Sequence, residues 1–211
     1  MQTPAEYLAG TESAVRHLFD GIAVYMNLLR SAVIPVPAMD ESIGTAAGKA
    51  KYEAWEKENA GILAAARQAE EKFIAEYFAL DTLCGAVLQV ADKALKLYGR
   101  RVAIPPEWSG VVKSEKAMYC SGRLVRTVPL GLVIHAARNQ HAHFEDLLLR
   151  EPNATVFECL ATAHGFPTPV RDPAFDLSNS SLTSFASNIT SLIKWRMYDQ
   201  YVTDMRALLE I

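Results

Sequence analysis

FIAEYFALDTLCGAVLQVADKALKLY, residues 73–98, sets its bulky side chains at helical spacing: Phe73, Tyr77, Leu80, Cys84, Leu88, Ala91, Leu95 and Tyr98 follow one another at steps of three or four. Those steps match the 3.6-residue period of an α-helix, so the eight side chains share one stripe that must be buried. Gly99 then supplies the stop. Upstream the helical pattern continues back to Lys49, but a rod of about 50 residues would measure roughly 75 Å at 1.5 Å per residue. A break near Asn59–Gly61 is therefore expected. Further back, Leu8, Val15, Leu18, Ile22, Tyr25, Leu29 and Val33 predict a first helix from Pro4 to Val33 capped by Thr3. The prolines of Ile34-Pro35-Val36-Pro37 must end it, because each removes an amide donor and biases the preceding residue toward extended backbone.

Downstream, residues 99–128 are the least regular part of the chain and could hide a strand or hairpin. Pro129 opens a helix expected to reach Arg150, where Glu151-Pro152 ends it. Asn153 is placed to cap a short helix closing at Gly165, and GFPTPVRDP (165–173) reads as a proline-stiffened linker. A final helix spans Ser181–Leu209, with Phe185, Ile189, Leu192, Tyr198, Val202, Met205 and Leu209 as its stripe. The expectation is an all-α chain: an up-and-down bundle of about five helices, one domain over 1–211, with a small hairpin or irregular insertion at 99–128.

Composition fits that reading. The 211 residues are 50% hydrophobic and 21% charged, an ordinary globular balance without a break that would split the chain. The longest apolar runs, Val128–Ile134 and Leu147–Leu149, are far shorter than the roughly 20 residues a bilayer span needs. The opening MQTPAEYLAG has neither a basic nor an apolar leader region, so a cytoplasmic location away from membranes is expected. Cys84, Cys120 and Cys159 are odd in number and widely spaced, which predicts free thiols in or beside the core.

A net charge of −3 argues against a protein that coats nucleic acid indiscriminately. Locally the charge is uneven. Residues 40–81 carry nine acids and five bases, whereas residues 100–126 carry six bases and two acids. That basic stretch precedes the most unusual helix in the chain, and it reads either as a solvated loop or as a rim that attracts phosphate. No GxGxxG, Walker loop, HExxH or GxSxG occurs.

The unusual helix is VPLGLVIHAARNQHAHFEDLLLRE (128–151), which gathers three of the five histidines into nine positions beside an arginine. At 100° per residue, Leu130, Val133, Ile134, Ala137, Phe144 and Leu148 form an apolar arc that includes His141. Arg138, His135, Ala142, Asp146, Asn139 and His143 lie on the opposite arc. The wheel thus predicts a buried structural His141, and a His135 and His143 open to a ligand. It also argues against metal binding by the three histidines, because His141 points away from the other two and ligands must converge. No cofactor and no metal are expected.

Arg138-Asn139-x-x-x-His143 resembles the RφxxxH signature of the HEPN superfamily, in which φ is commonly Asn, Asp or His. The resemblance is specific over about residues 121–160 and only topological elsewhere. It implies metal-independent endoribonuclease chemistry of the toxin or phage-defence kind, at a homodimer interface where two motif copies face each other. RNA would be the substrate and an antitoxin protein a further partner. The side chains suit the task. His143 can move a proton near neutral pH. Arg138 can bind phosphorane oxygens through two donors, and Asn139 can orient the imidazole or bond a phosphate. On one straight helix Arg138 and His143 lie about 140° apart, which is a geometric reason, independent of the family, to expect a second copy to complete the site. Two alternatives stay open: a non-catalytic HEPN-like module that binds RNA, nucleotide or protein, and an unrelated helical interaction protein.

Overall fold

In a computed structural model the described residues are 3–145, 149–163, 165 and 170–211. Among them the fold is all-α. Seven α-helices, α1 (Pro4–Ser31), α2 (Ala46–Glu58), α3 (Ala60–Tyr98), α4 (Leu130–Ala142), α5 (Asn153–Thr162), α6 (Ala186–Leu192) and α7 (Tyr198–Leu209), are joined by two 3-10 turns, Pro106–Trp108 and Ser114–Cys120. The only strands among the described residues, β1 (Leu124–Val125) and β2 (Val128–Pro129), form an antiparallel hairpin that pairs Leu124 with Pro129 and Val125 with Val128. The irregular 99–128 stretch therefore does contain a hairpin, turned by Arg126 at φ 55°.

Thr3 caps α1 as expected: its hydroxyl accepts from Glu6 N at 3.2 Å while the Glu6 carboxylate accepts from Thr3 N at 2.8 Å. The helix ends at Ser31, ahead of the two prolines. The expected break upstream of α3 is a single residue, Asn59, whose side-chain amide donates to Trp55 O at 2.8 Å. Thr45 caps α2 by accepting from Gly48 N at 3.0 Å.

Chain contacts define two compact units, Met1–Ile22 with Leu80–Ile211, and Ala23–Ala79. Helices α1 and α3 each contribute to both. In the larger unit the core is built by Val15, Phe19 and Ile22 of α1, by Leu80, Cys84, Leu88, Ala91 and Leu95 of α3, and by most of α4. The stripe of residues 73–98 is thus core from Leu80 to Leu95, with Tyr98 half-buried. In the smaller unit Phe73 and Tyr77 are half-buried and meet edge to face at 6.0 Å, Leu63 and Ala66 are buried, and Ile62, Ile74 and Phe78 are exposed. By length and composition alone α3 holds an 18-residue window of mean hydropathy 1.4 that could cross a bilayer.

Three boundaries differ from expectation. The final helix begins at Ala186 instead of Ser181 and is interrupted between α6 and α7, where Lys194 adopts φ 65° and sends Trp195 into the core. That indole packs edge to face on Tyr201 at 5.0 Å and donates to Asp204 Oδ2 at 2.8 Å, so tertiary burial overrides the local helical period. Helix α4 ends at Ala142 instead of Arg150, and Asn153 does not cap α5: it is the first helical residue, after Pro152 at the cap position, and the preceding Glu151 carboxylate accepts from Thr155 N at 3.3 Å. Asp146 and Leu148, placed on the wheel, and linker residues 166–169 lie outside the described residues.

Cys84, Cys120 and Cys159 are free, the first two buried. Burial pushes all three thiols up, Cys84 to about 11.

Candidate functional site

Helix α4 is enclosed on all sides over residues 130–137, because α5, α6, the Ser114–Cys120 turn and the hairpin all pack on it. A single-face wheel does not describe such a helix: His135, which it set on the open arc, is buried, while His141, which it set among the apolar residues, is half-buried and hydrogen-bonded. The His135 Nδ1–H donates to Asp92 Oδ1 of α3 at 2.8 Å, and its ring stacks on Tyr119 with centroids 4.1 Å apart and planes at 22°. Burial and the adjacent Asp92 carboxylate push the Tyr119 phenol well above its usual range. His141 is half-buried, with Nδ1 2.9 Å from Ser184 Oγ and 3.4 Å from Asp81 Oδ2. Burial raises the Asp81 carboxyl, and hydrogen bonds from His141, Ser184 and Ser187 N more than offset this, holding it below the ordinary carboxylate range.

These interactions form a polar ladder between two antiparallel helices. As the α3 number rises the α4 number falls, from Asp81 with His141, through Gln89 with Arg138, to Asp92 with His135. At its centre the hydrogen bonds are directional. Arg138 Nε–H donates to Gln89 Oε1 at 2.6 Å and its NH1 to Asn139 Oδ1 at 2.9 Å. Since Arg138 cannot accept, Asn139 must present its oxygen there and its amide nitrogen to His135 Nε2 at 3.1 Å and Asn153 Oδ1 at 3.5 Å. His135 consequently carries its proton on Nδ1. A chain of five side chains, Asp92–His135–Asn139–Arg138–Gln89, so fixes the orientation of Asn139 and of the guanidinium.

Arg138 is held differently from Arg123, Arg126 and Arg171. Arg123 pairs with Asp204, Arg126 with Asp172, and Arg171 with Glu158 and Asp176. The two side-chain acceptors on Arg138 are neutral, so its charge is not cancelled, and its second terminal nitrogen keeps two donors for another partner.

His143 follows the end of α4 as its C-cap at φ −130° and ψ 35°, exposed, with its backbone N–H shared between Asn139 O at 3.0 Å and Gln140 O at 3.3 Å. The 140° separation derived for an unbroken helix therefore does not apply at this residue. Asn139 and His143 open onto a hollow of about 380 Å³ with Lys116, Arg150 and Asn153 on its walls. Arg138 and Asn139 open onto an adjacent hollow of about 570 Å³ with Asp92, His135, Lys93, Lys96 and Lys116. Asn139 and Lys116 are common to both. The structure thus gathers the three motif residues around two neighbouring hollows and does not converge Arg138 and His143 on one.

Gln89, Asp92 and Tyr119 were not singled out by the sequence, Asn153 entered only as a helix cap, and Lys116 only as one base of the 100–126 stretch. Asp92 left a signal, as an acid inside the apolar stripe of α3; Gln89, Asp92, Lys93 and Lys96 also recur at one-face spacing. Of the six bases in 100–126, Arg100, Arg123 and Arg126 are paired with Glu210, Asp204 and Asp172, which leaves Lys116 as the one lining the hollows. Among the described residues no group of three or more His, Cys, Asp or Glu side chains is placed to hold a metal ion. No family model matches the chain, and neither a curated protein nor a solved structure matches it.

Proposed function

We propose that the chain is a metal-independent endoribonuclease of HEPN type, acting through Arg138, Asn139 and His143. The observation that carries this reading is the uncancelled charge of Arg138, held between the neutral acceptors Gln89 and Asn139, five residues before His143. A guanidinium fixed in orientation and left without a carboxylate is suited to an anionic ligand. In the proposed reaction the RNA 2′-hydroxyl loses its proton to His143 and its oxygen bonds to phosphorus, while the bond from phosphorus to the 5′-oxygen breaks. Arg138 bears the charge on the phosphorane oxygens, and Asn139 holds Arg138 in place. The leaving 5′-oxygen takes up a proton, which a second His143 from an apposed copy can give. Arg138 and His143 open onto separate hollows in one protomer, which favours a homodimer that completes the site. A cytoplasmic toxin or phage-defence component controlled by an antitoxin protein is the proposed setting, by resemblance.

The test is incubation of purified protein with total RNA in EDTA, beside Arg138→Ala and His143→Ala. The parent should yield fragments ending in 2′,3′-cyclic phosphate, and each variant should be slower by about 10²-fold or more at unchanged melting temperature. No cleavage by the parent, or cleavage undiminished in His143→Ala, would leave the non-catalytic binding module as the better reading. Light scattering at tens of micromolar checks the dimer; a strictly monomeric mass counts against the composite site.

A further inference from the structure

The larger hollow has a chemistry of its own. Lys93 and Lys96 reach it from successive turns of α3, Lys116 from the Ser114–Cys120 turn and Arg138 from α4, facing two carboxylates, Asp92 and Glu115. Asp92 is buried and already accepts from His135, so Glu115 is the one acid at the rim not engaged in that pair. Among the described residues no acid pairs with Lys93, Lys96 or Lys116, although Lys51, Lys72, Arg100, Arg123, Arg126 and Arg171 have carboxylate partners. Four cations held around a concave space of about 570 Å³ repel one another, and the arrangement is relieved by an anion seated among them. The volume is that of an ordinary small-ligand site, ample for a phosphate and its sugar.

We propose that this hollow is a phosphate subsite that holds the backbone of a single RNA strand one nucleotide away from the cleaved linkage. The inference rests on the ribonuclease reading and deepens it. Asn139 and Lys116 line both hollows and Arg138 is hydrogen-bonded to Asn139, so a strand with one phosphate on Lys93 and Lys96 lays its neighbouring phosphate across Arg138, Asn139 and Lys116 toward His143. The subsite sets the register of the strand, and its lysines read charge and not base identity.

A probe that cannot be cleaved separates this proposal from the reaction itself. A fluorescent 2′-O-methyl RNA of about ten nucleotides has no free 2′-hydroxyl, so its binding is measurable whether or not the protein cuts RNA. Anisotropy titrations over a salt series compare the parent with Lys93→Gln/Lys96→Gln, with Lys116→Gln, and with Lys57→Gln, which lines neither hollow. The double variant should bind weaker, and its log–log salt slope should flatten by about 0.7 for each phosphate that the protein no longer neutralises. Lys116→Gln should flatten the slope by the value of a single phosphate, and Lys57→Gln should leave it unchanged. Lys93 and Lys96 are exposed, and an unchanged thermal melt confirms that these changes leave the fold intact. An unaltered slope in the double variant overturns the proposal. So does pyrophosphate or a nucleoside triphosphate binding in a lysine-dependent way while the oligonucleotide is indifferent to both variants, since the hollow would then serve a free nucleotide. Retained lysine-dependent binding in a protein that never cleaves RNA would sustain the subsite and remove the nuclease.

Discussion

Replacing His135 by alanine tests whether the centre of the site is a structural relay or an open catalytic surface. In the folded protein the His135 and Asp92 side chains are 11% and 9% exposed, and their 2.8 Å hydrogen bond supplies Asp92 with a partner inside the core. Alanine removes a bond to a charged acceptor, worth about 1.5 to 3 kcal/mol, and the ring stacked on Tyr119. It also leaves the buried Asp92 carboxylate with Tyr119 as its remaining side-chain partner. The loss is a large share of the roughly 5 to 15 kcal/mol typical of a whole domain. Urea denaturation followed by circular dichroism should therefore show a much lower midpoint at unchanged slope. The double variant His135→Ala/Asp92→Ala isolates the coupling within the pair: it should be less destabilised than the two single changes added together, by about 1 to 3 kcal/mol. Strict additivity, or a His135→Ala protein within about 1 kcal/mol of the parent, would refute the relay. RNA cleavage should also fall, by less than in Arg138→Ala, because Asn139 loses an acceptor while the guanidinium remains.

Gly85→Ala should destabilise the protein even though alanine is the better helix former by about 1 kcal/mol, because its Cβ would lie 2.6 Å from His141 Cε1 and closer still to Cδ2 and Nε2. Displacing His141 removes a hydrogen bond that holds Asp81 below its ordinary value; stability from that lowered carboxyl is present above its unfolded pKa and lost as pH falls through the folded one, so the acid limb of the variant's stability profile should flatten. Native thiol labelling should modify Cys159 first and Cys84 last, since Cys159 is partly exposed while Cys84 is fully buried and its thiol is raised to about 11; rapid labelling of all three thiols would contradict the packing.

Helix existence was legible because burial and backbone period agree over long stretches, as in Leu80–Leu95 and in the Thr3–Glu6 capping box. Helix ends were legible only where a residue dictates them. Pro35 and Pro37 stop a chain locally, whereas nothing at 143–145 does, and the pattern read straight through Ala142. The break at Lys194 belongs to Trp195, whose burial against Tyr201 and Asp204 is a property of the assembled core. In α1 the buried residue is Phe19, not the expected Leu18, since α3 and α7 choose which face is covered.

The site shows the same division. Arg138 and Asn139 stood out as polar residues interrupting an apolar helix, but the roles of His135 and His141 depended on which helix lay opposite. The missing partners were nonetheless written in α3, where Asp81 and Asp92 sit inside or beside an apolar stripe at a cost no core helix bears without compensation. Each acid meets a histidine of α4. Between them the ladder places Arg138, and opposite it stands Gln89 where a third acid would have completed the pattern. A carboxylate there would hold the guanidinium more strongly and cancel its charge; glutamine fixes the same geometry and leaves the charge available. Gln89→Glu should accordingly keep Arg138 in place while weakening any anion bound beside it. The site lies where the compensation between the two helices is incomplete.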